Sequence, residues 1–200
     1  MGLISAQRLA VASAVGVRGR PLMAAYGRLR NYHVLQARQE PWRREGIIMH
    51  TRIAYGQVAQ EGVAALGKLE TYVRHSGLEH SLLELVKTRA SQLNGCGYCL
   101  DMHTKDARAG GETEQRLYVL SAWREAPFYT ERERAALEWT EALTLISQND
   151  VSDDLYGRAR EQFSEKELVD LTLAITAINS WNRLSIGFRS EVGSYEPKNR

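Results

Sequence analysis

The chain has 200 residues, 44% hydrophobic and 25% charged, which is the composition of a soluble globular protein of one ordinary domain and excludes disorder throughout. No apolar run approaches the roughly 20 residues needed to cross a bilayer, so no membrane span is expected. The net charge of +2 hides an asymmetry: residues 1–48 hold eight arginines, no lysine and only Glu40 and Glu45, while the remainder has a mild acidic excess and no electrostatic footprint for nucleic acid.

That basic leader, punctuated by Pro21 and Pro41, reads as an Arg-rich extension spanning 1–48, ahead of a globular unit at 49–200 that opens at Met49. A start placed too early, a basic tail or, least well, a transit peptide would have this composition. From Tyr55 the text is helix after helix, and the only alternating stretch lies at 46–53. Val58, Val63, Leu66, Leu69 and Val73 make one apolar face that Gly77 closes. A second helix is expected from about Leu78 to Leu93, with Leu82, Leu83, Val86, Ala90 and Leu93 inward and Asn94-Gly95 as its stop. The sequence Cys96-Gly97-Tyr98-Cys99 opens a third, ended by Gly110-Gly111, and Leu117, Leu120 and Trp123 mark a fourth that Pro127 limits. Thr130 with Glu133 and Ser164 with Glu167 fit the pattern in which a hydroxyl caps the third helical amide and a carboxylate reaches back. The last helix is expected from Glu165 to about Phe188, and the fold class is all-α.

Both cysteines of the chain sit in this one C-x-x-C, with His103 one turn further on. At about 100° per residue, Cys96, Cys99 and His103 fall within roughly 60° of one helix face. Two thiols at that spacing can form a disulfide, amides at a helix start favour a thiolate, and a nearby imidazole can take the proton. A lone pair of cysteines is no stapling framework and points to a reducing compartment, the cytoplasm, and to redox or metal chemistry. Taken alone, Glu84 reads as a solvent-facing partner of Lys87 or Thr88, and His103 as a surface histidine. Zinc held by Cys96, Cys99, His103 and Glu84 is the alternative chemistry, although no second C-x-x-C is present. His33, His50, His75 and His80 receive no role. Gly97 and Tyr98 shape the turn, and the polar patch Asn179-Ser180-Trp181-Asn182-Arg183 reads as core packing by Trp181 with Arg183 at a subunit contact.

The order Glu84, eleven residues, Cys96-x-x-Cys99, three residues, His103 resembles the signature of the AhpD-like alkylhydroperoxidases of the carboxymuconolactone decarboxylase superfamily. The neighbouring Leu82–Lys87, Met102–Lys105, Glu112–Leu117 and Trp123–Glu125 agree, and the resemblance covers Met49 to about Arg189. It implies an AhpD-like bundle of about six to eight helices and a thiol-dependent peroxidase without cofactor. In that implied scheme Cys99 attacks a small hydroperoxide, Cys96 resolves it as a disulfide, and His103 with Glu84 relays the proton. An external thiol, lipoylated or thioredoxin-like, would restore the dithiol. The family also implies a homo-oligomer, trimer or hexamer. The contrasting expectation is a non-enzymatic redox-sensing or metal-binding oligomer.

Overall fold

Helix α3, His80–Asn94, is the element around which the others are arranged: in the computed structural model, which describes residues 50–197, it packs on α4 (Gly97–Ala109), α6 (Glu131–Thr144) and α8 (Glu165–Phe188). The remaining elements are α1 (Tyr55–Val58), α2 (Gln60–Arg74), α5 (Glu114–Tyr118), a 3₁₀ helix over Leu120–Glu125, and α7 (Asp153–Gln162). The described residues are all-α, as expected, and none of their helices is long and apolar enough to cross a membrane. The Arg-rich extension at 1–48 lies outside the described residues.

The two predicted capping boxes form. Thr130 Oγ1 accepts from the Glu133 amide at 3.2 Å while Glu133 Oε2 accepts from the Thr130 amide at 2.8 Å, and Ser164 and Glu167 repeat the arrangement. The stop at Asn94-Gly95 also holds, because Gly95 takes the left-handed conformation (φ 69°) that turns the chain from α3 into α4. Two boundaries differ, and one helix was not read from the sequence. The first apolar face is broken at Ala59 into α1 and α2. Only Val73 of that face is buried, Val63, Leu66 and Leu69 being half-buried and Val58 exposed. The expected fourth helix divides at Val119 into α5 and the 3₁₀ helix, and beside the break the Tyr129 hydroxyl donates to the Arg116 carbonyl. Helix α7 starts at Ser152, whose hydroxyl accepts from the Leu155 amide, without the glutamate that would have announced a capping box.

Two apolar clusters surround α3. One joins Leu82, Leu83 and Val86 to Trp139 of α6, Phe163, and Leu171 and Ile175 of α8. The other joins Leu85 to Leu120, Trp123, Tyr129 and Leu137. Between them α3 carries a stripe that is polar yet buried, Glu84, Lys87, Thr88 and Ser91, at the spacing of one helix face. Glu84, Lys87 and Ser91 are hydrogen-bonded to neighbouring helices, as buried polar groups ordinarily are, whereas Thr88 Oγ1 has no partner among the described residues. The Lys87 ammonium, 2% exposed, is paired with Glu70 of α2, so the surface pairing expected around Glu84 is in fact an interior one. That stripe runs toward the two cysteines.

Candidate active site

The turn at Gly95 leaves Cys96 as the N-cap of α4, and its Sγ accepts from the Cys99 amide at 3.4 Å. Cys99 sits on the first turn with its Sγ 2.7 Å from that of Cys96, and the backbone already holds the pair at disulfide-forming separation. Both are free thiols and each is 1% exposed. One turn along α4, His103 Nδ1 lies 2.8 Å from Glu84 Oε2 on α3. Burial pushes the Glu84 carboxyl up, but the hydrogen bond and charge of His103, with Lys87 and His80 nearby, outweigh it and hold the group below its usual value. An ionised Glu84 accepts only, so Nδ1 is the donor in this pair and Nε2 is turned away from it.

Proton distribution separates the sulfurs. The Cys96 thiol is lowered to about 7 by the hydrogen bond from Cys99, against burial, with help from the Cys99 amide and from Asn182 and Ser185 of α8. Cys99 is pushed up, first because it gives that hydrogen bond to Cys96 and then by burial. Within this coupled pair the thiolate is favoured on Cys96 and disfavoured on Cys99. The helix-start amide expected to act on Cys99 acts on Cys96 instead, because Cys96 is the residue outside the first turn. His103 and Cys99 also take other partners than each other, the ring Glu84 and the thiol Cys96.

A cavity of about 280 Å³ opens onto this arrangement. Cys99 and His103 line it and Cys96 does not, while Tyr55, Tyr98, Met102 and Trp181 give it an apolar wall. Tyr195 closes another side: its hydroxyl donates to Asp106 Oδ1 at 2.7 Å, and burial first, then that bond, pushes it up to about 12. The segment carrying it is held to α4 by Lys105 Nζ on the Tyr195 carbonyl (2.8 Å) and by the Gly193 amide on Asp101 (3.2 Å). A side chain at Gly97 would meet Val192 of the same segment at 3.3 Å.

The four residues read from the sequence are therefore brought to one place. Asp106, Tyr195, Asn182 and Ser185 were not read there. Tyr195 and Asp106 are 89 positions apart, and Asn182 stood only within a patch assigned to packing. Trp181 of that patch is half-buried and walls the cavity, and Arg183 is exposed and bonded to Asn179. Among the described residues, the donors close enough to share an ion are Glu84, His103 and Asp106, within 4.8 Å, and not the sulfurs of the expected zinc set.

Residues 57–142 match the carboxymuconolactone decarboxylase family. Over 146 residues the chain is 48% identical to the uncharacterized protein YdfG of Bacillus subtilis, covering 73% of this chain and 99% of that one. The chain belongs to the carboxymuconolactone decarboxylase family. Within it the AhpD-like branch is the match: a crystal structure from Agrobacterium tumefaciens, of a protein of unknown function named as a candidate antioxidant defence protein AhpD, is 46% identical with a TM-score of 0.70, covering 73% of this chain and all of that one. An uncharacterized peroxidase-related protein from Silicibacter sp. shares the fold at 21% identity and a TM-score of 0.60, covering 67% of this chain and 71% of its own.

Proposed function

We propose that this family member is a thiol-dependent peroxidase that reduces organic hydroperoxides through a Cys96–Cys99 dithiol/disulfide cycle. The observation that carries the reading is geometric: Cys99 and the Glu84-bound His103 line one cavity, and Cys96, its thiol lowered to about 7, stands outside that lining with its sulfur 2.7 Å from that of Cys99. The antioxidant-defence name of the Agrobacterium relative points the same way.

In the first step His103 Nε2 takes the Cys99 proton as the sulfur attacks one peroxide oxygen. An S–O bond forms, the O–O bond breaks, and the alkoxide leaves as the alcohol with the proton from His103. Glu84 holds the imidazole in the required tautomer and stabilises its cation. In the second step the Cys96 thiolate attacks the Cys99 sulfenic acid, the S–S bond forms, and hydroxide leaves as water after protonation. An external thiol donor then returns two electrons, so one hydroperoxide and two thiols give one alcohol, one water and one disulfide. No cofactor enters. A cytoplasmic location would supply the reducing environment, and a homo-oligomer, trimer or hexamer, would cover the exposed Val58, Val169 and Ile186.

The test is hydroperoxide consumption by the parent, Cys99→Ser and Cys96→Ser, with a small dithiol, a dihydrolipoyl compound and a thioredoxin-like protein as donors. The parent turns over with at least one donor, C99S is inactive, and C96S stops after a single equivalent. Full turnover by both variants overturns the reading.

A further inference from the structure

The sulfurs lie against α8, and there the helix carries amides and hydroxyls in an otherwise apolar run. Asn182 is completely buried, a position an amide tolerates only when its direction is fixed by partners. Its direction follows from a backbone group seven residues earlier. The Ile175 carbonyl can only accept, so Asn179 must aim Nδ2 at it (2.9 Å), and Asn179 Oδ1 then faces Asn94. Asn94 Nδ2 consequently donates to Asn179 Oδ1 at 3.0 Å and to Asn182 Oδ1 at 2.9 Å. With its carbonyl committed, Asn182 directs Nδ2 the other way, where one N–H meets Ser91 Oγ at 3.1 Å and the second has no hydrogen-bond partner among the described residues. Ser185, three residues on and 4% exposed, lines the same cavity as Cys99. Asn94 belongs to the turn that precedes Cys96, so one chain of amides ties the C-x-x-C turn to α8, the helix on which both cysteines pack, and fixes the unpartnered Asn182 N–H there.

We propose that Asn182 and Ser185 are the hydrogen-bond donors that hold negative charge on the Cys96–Cys99 dithiol, and that Asn179 and Asn94 are positioning residues that fix the direction of the Asn182 amide. Two neutral donors suit a site whose charge must appear and vanish in each cycle, because they stabilise the thiolate without forming an ion pair with it. This deepens the peroxidase reading, but it concerns the charge on the sulfurs and needs no peroxide to be tested.

The experiment is the rate of iodoacetamide alkylation of the full chain as a function of pH, for Asn182→Leu, Ser185→Ala and Asn179→Leu, with Ser180→Ala as control because its hydroxyl bonds only to the Thr176 carbonyl of its own helix. Glu70, Arg74, His103 and Asp106 of the cavity, with Glu84 behind, remain in every variant, so a displaced titration reports the lost donor. Loss of a hydrogen bond to a charged group should move the midpoint upward by about one pH unit in N182L. S185A should move in the same direction, N179L by less, and S180A should overlay the parent. Circular dichroism establishes that each is folded, and if N182L is not, S185A decides. Titrations of N182L and S185A that coincide with the parent overturn the proposal. Shifted titrations in a protein that consumes no hydroperoxide would uphold it and overturn the peroxidase reading.

Discussion

Replacing Glu70 with alanine should be among the most destabilising single changes on the cavity wall. Its carboxylate is 22% exposed and partners the Lys87 ammonium, whose side chain is 2% exposed. Removing one partner of a buried pair leaves an uncompensated charge and costs about 3–5 kcal/mol. The lower end, about 3 kcal/mol, applies here because Glu84, one turn back on α3, still offers Lys87 a negative charge. With a urea slope of about 2 kcal/mol/M, that moves the unfolding midpoint down by about 1.5 M. Lys87→Met should cost less, since water can reach Glu70, and the double variant Glu70→Leu/Lys87→Met should return close to the parent. Urea unfolding at one fixed protein concentration decides it. An E70A midpoint within about 0.3 M of the parent, or a double variant no better than E70A, would refute the assignment of Lys87 as a buried charge held by Glu70.

Thr130→Ala removes one half of a capping box and should cost about 1 kcal/mol in the same unfolding assay. Alkylation of the parent should rise through a midpoint near pH 7, the Cys96 value, where an ordinary thiol would titrate nearer 8.5. The same lowering makes stability pH-dependent: the thiolate's contribution is complete above the ordinary thiol value and is lost as pH falls through about 7, a slope that Cys96→Ser should abolish. His103→Ala should slow hydroperoxide consumption about 100-fold, and Glu84→Gln about 10-fold, with both variants still forming the disulfide under a strong oxidant; undiminished rates would remove the pair from the proton path.

Where helix signals were local, the sequence was enough. Thr130 and Ser164 each carry their partner glutamate three residues on, Gly95 its left-handed turn, and the run from Glu165 to Phe188 its apolar spacing. The division at Val119 was not legible, because no glycine or proline marks it and the nearby bond from Tyr129 to the Arg116 carbonyl spans thirteen residues. The site shows the same division between near and far. Cys96, Cys99 and His103 share one helix face by spacing alone, whereas Glu84 is marked only by the family's signature spacing and by no local rule. Burial of Lys87 could not be read, since a lysine beside a glutamate on a helix is ordinarily a surface pair, and only the approach of α2 with Glu70 makes it an interior one. Tyr195 follows no periodic pattern and gains its place through Asp106. Asn182 resembles any polar residue of a long helix until Asn94 is brought beside it.

In the proposed cycle a hydroperoxide oxidises the two sulfurs in sequence, Cys99 first and Cys96 to close the bond. One measurement addresses it directly: the intact mass and peptide map of fully reduced protein after a single equivalent of an organic hydroperoxide, with the alcohol product quantified. The expected result is one equivalent of alcohol, a loss of two hydrogens and a Cys96–Cys99 linked peptide in the parent, and an oxygen or its trapping adduct on Cys99 in Cys96→Ser. A dithiol left reduced in the parent, or oxygen found on Cys96 in Cys99→Ser at the parent's rate, would contradict it.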